Sequence, residues 1–247
     1  MIEKDLGFIL NRYNFRETSL ITNIYTLNFG KITGILKGFY TFKKEFSSTL
    51  EPATLNEVIF YPKKSNIWLV SYIDLIKNYS FLSNDFLKNK IAMTFINLVD
   101  RIMQPNDSNK DVFYLLKDSL DYLEKFSDIR IVYAFLIKFF TISGVKPHLD
   151  RCISCLVKLT DKFFFDVSKG GLVCKNCAKG EVFDISKETV NVLLYIQRNK
   201  LDVVFRLNIS PNSIEEINYI LEKFLFYHLE YKINLKEFIW KKESYYV

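Results

Sequence analysis

The sequence predicts an α+β, multidomain fold, and three observations carry that expectation. Five short runs rich in β-branched and aromatic residues fill positions 5–77, the hydrophobic period lengthens to that of helices beyond residue 80, and all four cysteines fall within the 26 residues 152–177.

The strand-like runs are residues 7–10, 20–27, 32–36, 55–61 and 67–73, divided by Asn-Phe-Gly, Glu-Pro and Pro-Lys-Lys-Ser-Asn turns. Branched and aromatic side chains suit a pleated, half-buried surface, and five such strands suit a small closed barrel of the OB type. That assigns residues 1–80 to an N-terminal five-stranded OB-fold β-barrel.

Helical stripes follow. Phe86, Leu87, Ile91, Phe95, Leu98, Val99 and Ile102 mark a helix over 85–103 that ends before Pro105. Phe113, Leu116, Leu120 and Leu123 mark another over 110–126, with a solvated loop at 104–109 between them. Residues 129–143 form a nearly all-apolar helix stopped by Gly144 and Pro147, and such a helix belongs in a core. Ser186 is placed as the N-cap of a helix through Gln197. Ser210-Pro211 caps a long helix reaching about Glu230, with Ile214, Ile217, Leu221, Phe224, Leu225 and Leu229 on its buried face. An all-α domain over 81–150 and 181–247 results.

The cysteines interrupt it. Cys152-x-x-Cys155, eighteen intervening residues and Cys174-x-x-Cys177 give two tight knuckles, each able to aim two sulfurs at one point. Together they supply the four thiolates that tetrahedral Zn²⁺ prefers, and the closed donor set assigns the metal a structural role. Phe163-Phe164-Phe165-Asp166-Val167 and Lys169-Gly170-Gly171-Leu172-Val173 read as a hairpin returning the second knuckle to the first. Residues 151–180 are therefore an inserted zinc ribbon, expected to project from the helical body. Disulfides are the alternative, but the opening MIEKDLGFIL lacks the basic start of an export signal, and thiol pairs rarely persist in a reducing compartment. His148 is assigned to loop chemistry after Pro147.

The chain of 247 residues carries a formal net charge of +6. Lysine excess accompanies an abundance of Asn, Ile, Phe and Tyr, so the total alone does not require an anionic partner. Its distribution is more telling: +3 over residues 1–80, 0 over 81–150, +4 over 151–180 and −1 over 181–247. Four thiolates and one Zn²⁺ would bring the chain to about +4, leaving most of the excess on the barrel. Apolar stretches such as 131–140 are far short of the ~20 residues a bilayer needs, so a cytoplasmic, membrane-free protein is expected.

Reactive groups are scarce. His148 and His228 are the two histidines, and neither sits in a nucleophile motif; Walker A, G-x-G-x-x-G and H-E-x-x-H patterns are missing. Gly30, Gly34 and Gly38 lie in a short strand-like segment and read as turn and bulge positions. His228 reads as a helix-packing residue. Basic residues interleaved with aromatics are better supplied, in Arg12-Tyr13-Asn14-Phe15-Arg16 and Lys37-Gly38-Phe39-Tyr40-Thr41-Phe42-Lys43-Lys44. Cations for phosphates beside rings for unpaired bases are the chemistry of single-strand binding.

The order of these parts resembles the RecO family of bacterial recombination mediators. Glu17, Thr26, Gly30, Lys37-Gly38 and Leu50-Glu51-Pro52 follow the family's barrel pattern, and Ser143-Gly144-Val145-Lys146-Pro147-His148-Leu149 before the first knuckle, with Gly170-Gly171 before the second, is similar to its module signature. Phe39-Tyr40 stands where the family often has further arginines, and Ala53 where it commonly has Phe. The resemblance implies a non-catalytic, nucleoid-associated DNA repair protein. Such a protein binds single- and double-stranded DNA, anneals complementary strands and acts with RecR and RecF to load RecA on DNA coated by single-stranded-DNA-binding protein, whose acidic C-terminal tail it also binds. It carries over Lys37 as a DNA contact and Cys152, Cys155, Cys174 and Cys177 as zinc ligands. Arg12, Arg16, Lys43 and Lys44 join the candidate DNA contacts from charge and neighbouring rings alone. Two rivals share the charge and cysteine features: a transcription-type zinc-ribbon binder of nucleic acid, and a zinc-ribbon adaptor for proteins. An enzyme with a pocket around His228 is a third.

Overall fold

The computed structural model describes residues 2–41, 50–63, 66–160 and 162–239. They form two compact units, Met1–Glu124 and Lys125–Val247.

In the first unit, β1 (Glu3–Phe15), β2 (Ser19–Thr26), β3 (Gly30–Leu36), β4 (Leu55–Tyr61) and β5 (Ile67–Lys77) close a barrel in the order β1-β2-β3-β5-β4. Closure depends on the length of β1. Its residues 7–15 pair with β2 while residues 3–8 pair with β4, and a register shift between Ile9 and Asn11 marks the bend that lets one strand serve two partners. β3 and β5 run parallel; the other neighbours are antiparallel. Alternation along β3 buries Ile32 and Leu36, which pack with Ile9, Leu20, Ile24, Val58, Phe60 and Trp68 in the barrel interior. This is the OB-type barrel that the five β-rich runs predict.

Gly30 shows why a glycine opens β3. Its φ is +67°, and a Cβ would fall 2.2 Å from the Asp107 carbonyl oxygen. The loop 104–109 does expose its side chains, as expected, yet its backbone is pinned: Asn106 N–H donates to the Lys31 carbonyl at 2.8 Å and Tyr25 Oη to the Asn109 carbonyl at 3.1 Å.

A single helical turn, α1 (Phe81–Asn84), leads to α2 (Phe86–Ile102) and α3 (Lys110–Lys125). Asp85 caps α2 by accepting from Lys88 N–H at 2.9 Å. Two buried-edge carboxylates hold these helices to the barrel. Asp100 accepts from Asn11 and Asn23 and lies 3.8 Å from Lys31 Nζ; Asp121 accepts from Lys77 at 2.6 Å, Lys117 at 2.8 Å and Tyr79 Oη at 3.1 Å.

The second unit is built around α4 (Arg130–Ile142), whose residues 131–137, Phe139 and Phe140 are buried. Its one internal lysine, Lys138, turns to the end of α5 (Lys187–Arg198) and donates to the carbonyls of Ile196 and Asn199, where a cation offsets the negative helix terminus. Burial holds the Lys138 pKa below its ordinary value. Ser186 caps α5 and Ser210 caps α7 (Pro211–Leu229), each hydroxyl accepting from the N–H three residues on, while α6 (Leu201–Val204) is one turn between them. In α7 the buried face includes Ile217, Leu221, Phe224 and Leu225 as expected, but Ile220 replaces Ile214 and Leu229, which are half-buried. A turn of 3₁₀ helix, Leu235–Phe238, follows.

The cysteine segment forms a three-stranded sheet, β7-β6-β8, from β6 (Phe163–Asp166), β7 (Gly171–Val173) and β8 (Phe183–Ile185). The expected hairpin is β6–β7; β8 is an additional strand. Rather than projecting, the sheet lies on α7. Phe165 is fully buried with its ring 6.2 Å from that of Phe224, Phe183 meets Tyr219, and Ser186 N–H donates to Glu216 at 2.9 Å. A three-stranded sheet with a phenylalanine face cannot leave that face in water.

Candidate nucleic-acid interface and metal centre

Two turns meet at one end of the barrel. The β1–β2 hairpin turns at 16–18, with Arg16 in the left-handed region at φ +56°, and the chain leaves β3 through the turn 37–41. Tyr40 joins them: its N–H donates to the Thr18 carbonyl at 3.1 Å and its hydroxyl to Asn14 Oδ1. Gly38, at φ +70°, permits the tight return that Thr41 N–H closes onto the Gly38 carbonyl at 2.9 Å. The turn is anchored from below by Phe39, which belongs to the barrel core. Phe39 therefore cannot offer its face to a base, as the sequence suggested. Surface rings come instead from Tyr13, 57% exposed, and from the half-buried Phe15 and Tyr40.

The candidate cations divide accordingly. Lys37 and Arg16 are exposed on these adjoining turns, and the Arg16 guanidinium stands 5.2 Å from the Phe15 ring centroid. Arg12, also exposed, lies four residues before Arg16, within β1, and is paired with Glu51 at 2.7 Å. Lys43 and Lys44 lie outside the described residues. An exposed lysine beside an arginine and two rings can hold a phosphate while an adjacent base stacks.

In the ribbon, the sulfurs of Cys152, Cys155, Cys174 and Cys177 all lie within 4.8 Å of one another, and Cys155 and Cys174 are 3.7 Å apart. Four sulfurs at ~2.3 Å from a central Zn²⁺ would be about 3.8 Å apart, so the set fits the ion. Each knuckle is a hydrogen-bonded turn. Leu156, at φ +62°, donates to the Cys152 carbonyl at 2.8 Å, and Ala178 N–H donates to that of Cys174 at 2.9 Å. Ile153 N–H donates to the Leu172 carbonyl at 2.7 Å, tying the first knuckle to β7. Burial works against ionisation of Cys152, but backbone N–H groups of Cys155, Cys174 and Ser154 outweigh it and bring its pKa to about 6. Cys177, sharing hydrogen bonds with Cys174 and Cys155, is pushed up to about 12. Four thiolates this close would require a cation among them, and a Zn²⁺ held by Cys152, Cys155, Cys174 and Cys177 would supply it.

Both histidines make contacts within the ribbon and its supporting helix. His228 on α7 donates from Nε2 to the Val167 carbonyl at 2.9 Å and packs its ring 4.3 Å from that of Phe224, fastening the β6–β7 turn. His148 pairs through its backbone with Gly170 and Leu172, at 2.9 and 2.8 Å, and its Nε2 lies 3.2 Å from Asp150 Oδ1. The residues that sequence reasoning missed are those joining the turns, Asn14 and Thr18, together with the clamps Asp100 and Asp121. Their partners lie far along the chain, and no local pattern announces them.

An OB-type barrel, a helical body and a four-thiol ribbon in one chain define a class: a multidomain barrel protein with a ribbon suited to zinc. Comparison of sequences then gives the family. Residues 1–79 match the family described as Recombination protein O N terminal, and residues 83–237 match Recombination protein O C terminal. The chain belongs to the RecO family of DNA repair proteins. Among its relatives are the DNA repair protein RecO of Alkaliphilus metalliredigens, 26% identical with 93% of this chain and 95% of the relative aligned, and that of Syntrophus aciditrophicus, 28% identical over 90% and 89%. No described helix is long and apolar enough to cross a membrane.

Proposed function

We propose that this protein is a non-catalytic recombination mediator. On this reading it binds single- and double-stranded DNA, anneals complementary strands, and works with RecR and RecF to load RecA on DNA coated by single-stranded-DNA-binding protein, whose acidic tail it also engages. The observation that carries the reading is the meeting of Lys37 and Arg16 on two hydrogen-bonded turns at one end of the barrel, in a chain of the RecO family. Its working parts are the barrel (1–80), the helical body (81–150 and 181–247) and a structural zinc ribbon (151–180), acting in the cytoplasm at the nucleoid.

Annealing needs no reactive group. A cationic surface screens two phosphate backbones, and base pairing then provides the driving force. The deciding experiment mixes complementary oligonucleotides coated with single-stranded-DNA-binding protein. The native chain is expected to accelerate annealing, and Lys37→Ala/Arg16→Ala to slow it. If the native chain leaves the rate unchanged, with RecR present or absent, the reading is wrong and an adaptor role takes its place.

A further inference from the structure

The four sulfurs of the ribbon are not equally placed. Cys152 is fully buried, Cys174 and Cys177 are half-buried, and Cys155 is exposed. The asymmetry follows from the first knuckle. Ile153 N–H holds the Cys152 side of the turn against the Leu172 carbonyl of β7, while the far side leaves Cys155, Leu156 and Val157 exposed. The second knuckle is open from another direction. Cys174 forms part of the wall of a surface groove of about 360 Å³, which Val157, Lys158, Lys162 and Lys175 also line. Three lysines and no described carboxylate line this groove, a setting that favours a thiolate. Cys155 and Cys174, one from each knuckle, are therefore the solvent-facing edge of the cluster, with their sulfurs 3.7 Å apart.

That edge has a place in the fold. The chain between Cys155 and Cys174 contains the whole β6–β7 hairpin. A covalent bond between these two sulfurs would tie the same two ends that a zinc ion would tie. A bond within either knuckle would leave the ends of the hairpin unjoined. Oxidation of thiolates follows exposure, and a sulfenic acid formed at one cysteine condenses with a thiol beside it. Cys155 is the exposed member, and Cys174 is beside it on the other knuckle.

We propose that Cys155 is a site of reversible oxidation by hydrogen peroxide and that Cys174 resolves it, converting the ribbon from a zinc-held to a disulfide-held form. The inference rests on the reading of the four cysteines as zinc ligands. The Cys155 thiolate attacks one peroxide oxygen, giving a sulfenic acid and one hydroxide. The Cys174 thiolate then attacks that sulfur, forming the disulfide and releasing a second hydroxide. Two thiolates and one peroxide thus become one disulfide and two hydroxides, and the peroxide takes up the two electrons. Zinc leaves, because Cys152 and Cys177 alone are half of its donor set. A dithiol reverses the change by exchange, being oxidised as the ribbon disulfide is reduced.

The test uses the full-length, reduced, zinc-loaded chain, with its zinc content measured first. Hydrogen peroxide is added in the presence of a colorimetric zinc indicator, the remaining thiols are alkylated, and tryptic peptides are sequenced by tandem mass spectrometry. Cleavage after Lys175 places Cys174 and Cys177 on separate peptides. The first product should join Cys155 to Cys174 with Cys152 and Cys177 alkylated, and about one zinc per chain should be lost in step with it. Dithiothreitol with added zinc should restore the starting form. Hydrogen exchange supplies a readout that loss of metal alone would not give: residues 163–173 should keep their protection in the oxidised chain and lose it in the reduced chain stripped by a chelator. All these readouts come from the native sequence, so none depends on the folding of a variant. A first disulfide within either knuckle or from Cys155 to Cys177, a sulfinic acid at Cys155 with no disulfide, or a loaded chain that keeps its zinc and thiols under peroxide overturns the inference. Reduced protein that holds no zinc at the outset is a separate failure, which removes the zinc reading and this inference with it.

Discussion

Lys37 is the first residue after β3, where the strand no longer pairs its backbone and the next residue, Gly38, turns the chain back toward the hairpin of Arg16. A lysine there spends nothing on packing, and its charge is available to a ligand. Arg12 differs: to contact a phosphate it must first release Glu51. An exposed ion pair contributes ~0–1 kcal/mol, so the release is feasible but reduces the net gain. Single substitutions should therefore rank. Lys37→Ala and Arg16→Ala should each lower the salt slope of oligonucleotide binding by up to about one unit, and Arg12→Ala by less. A titration from low to moderate salt reads this directly. Equal slopes for Lys37→Ala and the native chain would remove Lys37 from the interface.

At the scale of elements, the side-chain clamps decide how helices meet strands. Asp121 on α3 accepts from Lys77 at the end of β5 and from Lys117 one turn earlier, and Lys77 also reaches Glu124 at 2.9 Å. Burial alone would raise the Asp121 pKa, but hydrogen bonds from Lys117 and Lys77 outweigh it and hold it below the ordinary carboxylate value. Its stabilisation is thus complete above the unfolded pKa, about 4, and is lost as pH falls through the depressed folded value. Asp121→Asn should cost up to about 1 kcal/mol at neutral pH, discounted for partial exposure, and the deficit should vanish in strong acid. Denaturant melts at several pH values would show this, and a deficit that persists unchanged in acid would contradict it. Such clamps also mark the limit of what the sequence discloses. The five strands, the long helices and both serine caps are legible because period and capping are local: Ser186 and Ser210 each need only the N–H three residues on. β8 is three residues long, too short for any period, and the seating of the ribbon rests on pairs such as His228 and Val167, which are distant in the chain. The place of Phe39 in the barrel core is hidden from the sequence for a related reason. In a turn, side-chain direction follows from the backbone dihedrals, and residue type does not tell a core ring from a stacking ring. The cysteine cluster, by contrast, was fully legible, since two x-x spacings and a hairpin leave four sulfurs little choice but to converge.

On the scale of the whole molecule, each compact unit has its own core: the barrel interior around Ile24, Phe60 and Trp68 in one, and α4 with Phe140 and Phe224 in the other. The cysteine cluster belongs to the second alone. Zinc binding is folding energy wherever the ligands converge only in the folded state, so removing the metal should act on one unit. The chain has two tryptophans, and Trp68 lies in the barrel core, 7% exposed; in a Trp240→Phe background its emission reports the first unit by itself. The ribbon's Phe165 and the helices of the second unit are followed by hydrogen exchange of residues 163–173 and 211–229. Metal analysis should find about one zinc per chain, and Cys152→Ser or a strong chelator should release it. On release, the second unit should lose exchange protection in β6, β7 and the adjoining turns of α7, because four crowded thiols have lost the cation that let them share a site and Phe165 has lost its anchored strand. The Trp68 transition should keep its midpoint. A common shift of both signals would mean that the units unfold as one, and the ribbon would then be stabilising the barrel as well as its own sheet.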